Sequence, residues 1–273
     1  PNLPGLQVAF AEPGNKSPHL VKPPEGKWWN RSSFVEWLIT ELRHHRLLIG
    51  ADFAFGYPLA DEGAFFPGLQ FQPKTAAALW DLVEECTWSG NNFYGADFYK
   101  RQDLEFHRYY LSPYGKGDRY RFRQRLTEIA CSAITAPHPV LKCIGAANVG
   151  TGSLAGMRIL RYLSAEMSES LSIWPFKQPT KNSGIVEVFP RLYFKLANTD
   201  PSLWQNRENI NQTLAFYKSE KLSDHIEINR EDEADALVSA AALRLLSSDE
   251  ELWSAPQSFE AAIKAEGWIF GVK

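Results

Sequence analysis

The 273-residue chain predicts an α/β fold, and three observations carry that expectation. Leu47-Leu48-Ile49-Gly50-Ala51-Asp52 and Ile185-Val186-Glu187-Val188-Phe189 are short, nearly continuous apolar runs of the kind that suits strands covered on both faces of a sheet. The stretch from Glu231 to Leu246, rich in Ala and Leu, reads as a long helix. No internal repeat and no long linker interrupts the chain, so residues 1–273 are expected to form one domain.

Taken in order, Leu6 to Glu12 reads as a short strand before a Pro/Gly/Asn-rich turn region. Ser33-x-x-Glu36 has the form of a capping box opening an amphipathic helix, with Phe34, Trp37, Leu38 and Leu42 on one face. The first buried run ends at Asp52 and is broken by Phe53-Ala54-Phe55-Gly56-Tyr57-Pro58. From about 60 to 145 the chain is aromatic and rich in Pro and Gly. It reads as an insertion of loops and helices, with its clearest helix over 118–133. Gly150-Thr151-Gly152-Ser153 leads into a helix from Leu154 to Leu163. The second buried run is stopped by Pro190, and a helical stretch near 207–220 follows. One more helix, a stop at Gly267 and a short strand from Trp268 to Val272 complete the chain.

Composition excludes several classes. At 44% hydrophobic and 22% charged the chain has the makings of a packed core, and its net charge of -3 rules out a uniformly basic coat. Cys86, Cys131 and Cys143 form no C-x-x-C pair, which argues against a disulfide framework or a zinc site and fits a reducing cytoplasm. No apolar run approaches the roughly 20 residues needed to cross a bilayer, and no signal peptide opens the sequence. His44, His45, His107 and His138 lack metal-ligand spacing; the first two end a helix, where cations are favoured.

The chemistry resides in the acids. Asp52 closes one buried strand, Glu187 lies inside another, and Asp232 and Asp235 fall about one turn apart on a helix face. Asp235, in Ala234-Asp235-Ala236-Leu237-Val238, is expected among buried neighbours, where an unpaired carboxylate costs several kcal/mol or raises its pKa. A divalent cation removes that cost, and Mg²⁺ or Mn²⁺ held by carboxylates is the centre that phosphodiester hydrolysis uses. Each acid also has a plain structural reading. Asp52 suits an Asx-turn, Glu187 suits pairing with a core Arg, and Asp232 suits the first turn of a helix. Glu36 is explained by the capping box.

Ile49-Gly50-Ala51-Asp52-Phe53-Ala54-Phe55-Gly56-Tyr57-Pro58, Glu187-Val188-Phe189-Pro190 and Asp232-x-x-Asp235-Ala236-Leu237-Val238 resemble the three motif blocks of a largely bacterial family of predicted nucleases with an RNase H fold. The Glu266-Gly267-Trp268-Ile269 ending resembles it too. The helix block is similar to the last helix of the Holliday-junction resolvase branch, where a D-x-x-D-A-L pattern supplies metal ligands. The resemblance implies an RNase H-like mixed sheet flanked by helices, with the insertion following the fourth strand. It further implies Asp52, Glu187, Asp232 and Asp235 as catalytic ligands of Mg²⁺ or Mn²⁺, and DNA or RNA, single-stranded or branched, as substrate. It also implies an Asp on a first strand, and no apolar-apolar-Asp run precedes residue 47. A non-catalytic nucleic-acid-binding or scaffold protein of the same fold is the alternative, and an ATP-dependent phosphotransferase a more distant one.

Two further stretches bear on ligands. Residues 100–125 hold eight Lys or Arg against three acids, interleaved with aromatics, the composition of a surface that neutralises phosphates and stacks on bases. Within it Lys116, Arg119, Arg121 and Arg125 are the candidate nucleic-acid contacts. Arg121 and Arg125 share one face of the expected helix, while Phe122, Leu126 and Ile129 face the core. A solvated helix face with cation–π contacts would give the same counts. Gly150, Thr151, Gly152 and Ser153 are expected to pack closely at a helix start or to grip a single phosphate through free N–H groups.

Overall fold

The computed structural model describes residues 2–145, 148–254, 256 and 259–273. The chain opens with an antiparallel hairpin, β1 (Ala9–Phe10) and β2 (His19–Leu20). Helix α1 (Arg31–His44) follows, then β3 (Leu48–Ala51). The next segment contains α2 (Ala76–Thr87), α3 (Asp97–Lys100), short 3₁₀ turns at 102–104 and 106–109, and the small hairpin β4 (Leu111–Ser112) and β5 (Gly115–Lys116). After it come α4 (Leu126–Cys131), α5 (Val149–Glu166), β6 (Leu171–Ile173) and β7 (Ser183–Glu187). The last part is helical: α6 (Pro190–Leu196), α7 (Arg207–Phe216), α8 (Glu231–Leu246) and α9 (Glu260–Glu266).

The central sheet is small and parallel, in the order β3-β7-β6, with Ala51 opposite Glu187 and Ile173 opposite Ile185. Helices cover both faces, and alternation along the strands decides what each face meets. Ile185 points into a core formed with Leu38 of α1, Leu79 and Val83 of α2, and Leu154 and Met157 of α5. Its neighbours Val186 and Val188 point the other way, into a core with Leu192 of α6, Ile210 of α7 and Leu237, Val238 and Ala241 of α8. Helix α8 also packs on β1, β2 and β3, so one helix spans both the opening hairpin and the edge of the central sheet. Gly50 permits that closeness: a Cβ there would lie 2.5 Å from Leu243 Cδ1 of α8 and 2.7 Å from Val188 Cγ1.

Several local expectations change. Asn30, rather than Ser33, caps α1. Asn30 Oδ1 accepts from the Ser33 N–H at 2.9 Å, and Ser33 Oγ accepts in return from the Asn30 N–H, so Glu36 has no capping role. The helix expected over 118–133 is confined to α4, and residues 118–125 run without helical structure. Arg123 and Arg125 therefore point inward two residues apart, and Phe122, at 67% exposure, and Ile129, at 55%, face solvent rather than the core. The final strand is reduced to a single parallel bridge between Glu187 and Ile269. Among the described residues no helix is long and apolar enough to cross a membrane.

Candidate acidic site

β3 and β7 run parallel, so both deliver their following residues to the same edge of the sheet. The Val188 N–H donates to Ala51 O at 3.0 Å, and Asp52 leaves the sheet at that point. Along β3, Ile49, Ala51 and Phe53 pack against the α1–α2–α5 core, while Leu48 and Gly50 turn to α8. Asp52 continues the second set and turns to the same side as Asp232 and Asp235.

Solvent reaches Asp52, but the protein packed around it makes its charge costly. Desolvation, then the charges of Glu187 and Asp232, push its pKa up to about 7. Asp235 is half-buried on α8, and its pKa is pushed up to about 8. The cause is desolvation first, then the charges of Asp52, Glu231 and Asp232, against a smaller opposing effect of Arg191. Asp232, one turn earlier, is also raised by desolvation and by Glu231, with Arg230 opposing. A Cβ at Gly5 would stand 3.3 Å from Asp232 Oδ2, so the N-terminal segment passes beside this carboxylate. None of the three carboxylates forms an ion pair with a described residue.

Glu187 departs from the expected ligand set. With Ala51 as its cross-strand partner, its side chain lies on the face opposite to Asp52 and is 3% exposed. There Arg125 grips it with two parallel bonds, Nη2 to Oε1 at 2.5 Å and Nη1 to Oε2 at 2.8 Å, and the Phe55 N–H adds a third at 3.0 Å. Arg125 also donates from Nε to Glu128 Oε1 at 2.9 Å and from Nη1 to Glu266 O at 3.2 Å. Against the cost of burial, the charges of Glu187 and Glu128 push the Arg125 pKa up. Such bidentate, charge-assisted bonds leave the carboxylate little capacity for a cation. Glu187 is thus a structural acid, the core-Arg reading its sequence position left open.

Arg125 consequently cannot serve as a nucleic-acid contact, being 2% exposed. Much of the basic stretch is likewise engaged within the protein. Arg123 is buried and donates to Asp61 and to the carbonyls of Pro58, Ala64 and Phe65. Arg108 pairs with Asp118 and Glu105, and Arg101 with Asp103. Arg119 donates to the Tyr109 hydroxyl at 2.8 Å, and Arg121 is exposed but bonds to carbonyls of its own loop. Lys116 is exposed at the β4–β5 hairpin and stands over the Tyr120 ring.

Gly150, Thr151, Gly152 and Ser153 lie inside the first turns of α5 rather than ahead of it. The Gly150 N–H donates to Lys142 O, and the Thr151 N–H to the cap Asn148 Oδ1. The donors needed to grip a phosphate are to that extent already satisfied. A Cβ at Gly150 would sit 2.5 Å from Cys143 Sγ, so close packing explains this glycine. Ser153 Oγ accepts from the Ala54 N–H at 3.1 Å and so ties α5 to the loop behind Asp52.

The sequence pattern assigned no role to Glu266, although it lies in one of the resembling blocks, or to Arg191. Glu266 is buried and accepts from the N–H groups of Leu59, Ala60 and Leu126, fastening both ends of the insertion. Arg191 is the second residue of α6, four positions after the end of β7, and its charge opposes the rise in the Asp235 pKa. Its position just after the strand-stopping Pro190 was the available signal.

Among the described residues no three His, Cys, Asp or Glu side chains are gathered closely enough to hold a metal ion by themselves. The donors that fit are the carboxylates of Asp52 and Asp235, which form no ion pair with a described residue. Hydrated Mg²⁺ is commonly held through one or two carboxylates, with water and substrate oxygens completing its shell. No family model, curated protein or solved structure matches the chain.

Proposed function

We propose that this protein is a metal-dependent phosphodiester hydrolase of RNase H-like build, acting on nucleic acid at the edge of the parallel sheet. The reading is supported above all by Asp52 and Asp235. These two acids come from different elements and have no cationic partner in contact, and the charge of Asp52 helps desolvation to raise the pKa of Asp235, at the carboxyl end of a strand, where α/β folds bind ligands. They would hold Mg²⁺ or Mn²⁺, with Asp232 at the margin of the site. The bound ion would lower the pKa of a water and stabilise charge on phosphorus. Asp52 and Asp235 orient that chemistry, while the Arg125–Glu187 pair keeps the loop after Asp52 in place through the Phe55 N–H. The three free, buried cysteines suit a reducing cytoplasm.

Incubation with labelled single-stranded, duplex and branched nucleic acids, with Mn²⁺ and with chelator, tests the reaction. Metal-dependent cleavage that is lost in D52N and D235N supports it. The absence of cleavage of every substrate by the parent chain refutes it. The second reading, a nucleic-acid-binding scaffold of the same fold, draws on the engagement of Glu187 by Arg125, which leaves two core acids instead of the larger ligand set. It predicts binding without cleavage.

A further inference from the structure

Arg191 sits where the topology brings strand ends and helix together. β3 and β7 end side by side, with Ala51 opposite Glu187. One chain continues directly into Asp52; the other passes through Val188 and Phe189 into Pro190 and Arg191 at the start of α6. Helix α6 packs against α8, which carries Asp235. Arg191 is exposed, yet it forms no ion pair and no side-chain hydrogen bond with any described residue. The contrast with Arg123, Arg125, Arg158 and Arg207 is sharp, because each of these holds backbone carbonyls or acids of its own protein. Burial first, and then the charges of Lys142 and Arg191, lower the pKa of the His138 imidazole.

We propose that Arg191 holds a phosphate of the nucleic acid against the Asp52–Asp235 edge. Two carboxylates neutralise the divalent ion that they would hold, so a fixed cation at the same edge supplies the net attraction for a polyanion. A guanidinium with its donor fork free meets phosphate through two parallel bonds, a geometry that an ammonium does not reproduce. The assignment rests on the hydrolase reading above and replaces the arginines of the 118–125 segment as the phosphate contact.

Fluorescence anisotropy with labelled single-stranded DNA, duplex DNA and RNA, in Mg²⁺ over a range of salt, compares the parent with R191Q, R191K and R121Q. The expected result is binding weakened roughly tenfold in R191Q, with a salt dependence shallower by about one counterion. R191K should recover only part of the loss, and R121Q should bind like the parent. Calorimetric titration with Mn²⁺ should give the same affinity for R191Q as for the parent, placing the defect in phosphate binding. If R191Q melts early, R191K alone carries the comparison, and parent-like binding by it overturns the role of the fork. If the parent binds and R191Q equals it, the Arg191 assignment is overturned while the hydrolase reading stands. Failure of the parent to bind any of the three probes overturns both.

Discussion

Ala51 and Glu187 face each other across the parallel β3–β7 pair, and this register separates the two strand acids. Glu187 shares the face of Ala51 and meets Arg125, whereas Asp52, one residue further along β3, turns to α8. Two carboxylates that look equivalent as strand-end acids therefore have opposite fates. One is neutralised inside the protein, and the other is left facing acids.

That asymmetry predicts how stability depends on pH. Asp52 and Asp235 have folded-state pKa values of about 7 and about 8, above the ordinary 3.8. Between those limits the folded chain binds more protons than the unfolded one, so these groups make stability fall as pH rises from about 4 to about 8. Above about 8 their effect is level. D235N removes one source of repulsion, so thermal melts should show it gaining stability over the parent at about pH 8 and little at about pH 5. Equal differences at the two pH values would contradict the assigned repulsion.

Arg125 should be among the least replaceable residues of the chain. Substitution by Gln leaves Glu187 and Glu128 buried without their cation, and breaking a buried pair in this way costs about 3 to 5 kcal/mol. Chemical denaturation of R125Q should show a loss of that size. A loss below about 1 kcal/mol would mean that the bidentate pair contributes little.

Gly156 should be needed for the position of the loop after Asp52. A Cβ there would come within 2.2 Å of Phe53 Cδ2, so G156A forces the ring to move. Overpacking of this kind costs about 1 to 3 kcal/mol, although Ala favours the helix by about 1 kcal/mol. The variant should melt earlier than the parent and bind Mn²⁺ more weakly, because Phe53 adjoins Asp52. Unchanged values for both would show that Phe53 yields freely.

Much of the frame was legible in the sequence. The apolar runs at 47–52 and 185–189 marked two neighbouring strands because both faces of the sheet are covered. The span 231–246 marked α8 because acids open the helix and Ala and Leu continue it. The placement of Asp52 and Asp235 followed from strand end and helix spacing. What was not legible depended on partners distant in sequence. The inward turn of Arg125 requires Glu187, 62 residues away, and Glu266, 141 residues away. Helical periodicity in 118–133 gave way to those contacts, and with it went the expected basic face. The choice between a ligand and an ion-pair role for Glu187 was set by strand register, which the separate apolar runs do not encode.

Calorimetric titration of the parent chain, D52N, D235N and E187Q with Mn²⁺ tests the central claim most directly. The parent should bind the metal, and D52N and D235N should each weaken it by on the order of tenfold or more through loss of an anionic ligand. E187Q should retain binding wherever it stays folded, since that carboxylate belongs to Arg125. Absence of Mn²⁺ binding by the parent, or binding unaffected by D52N and D235N, would contradict the account.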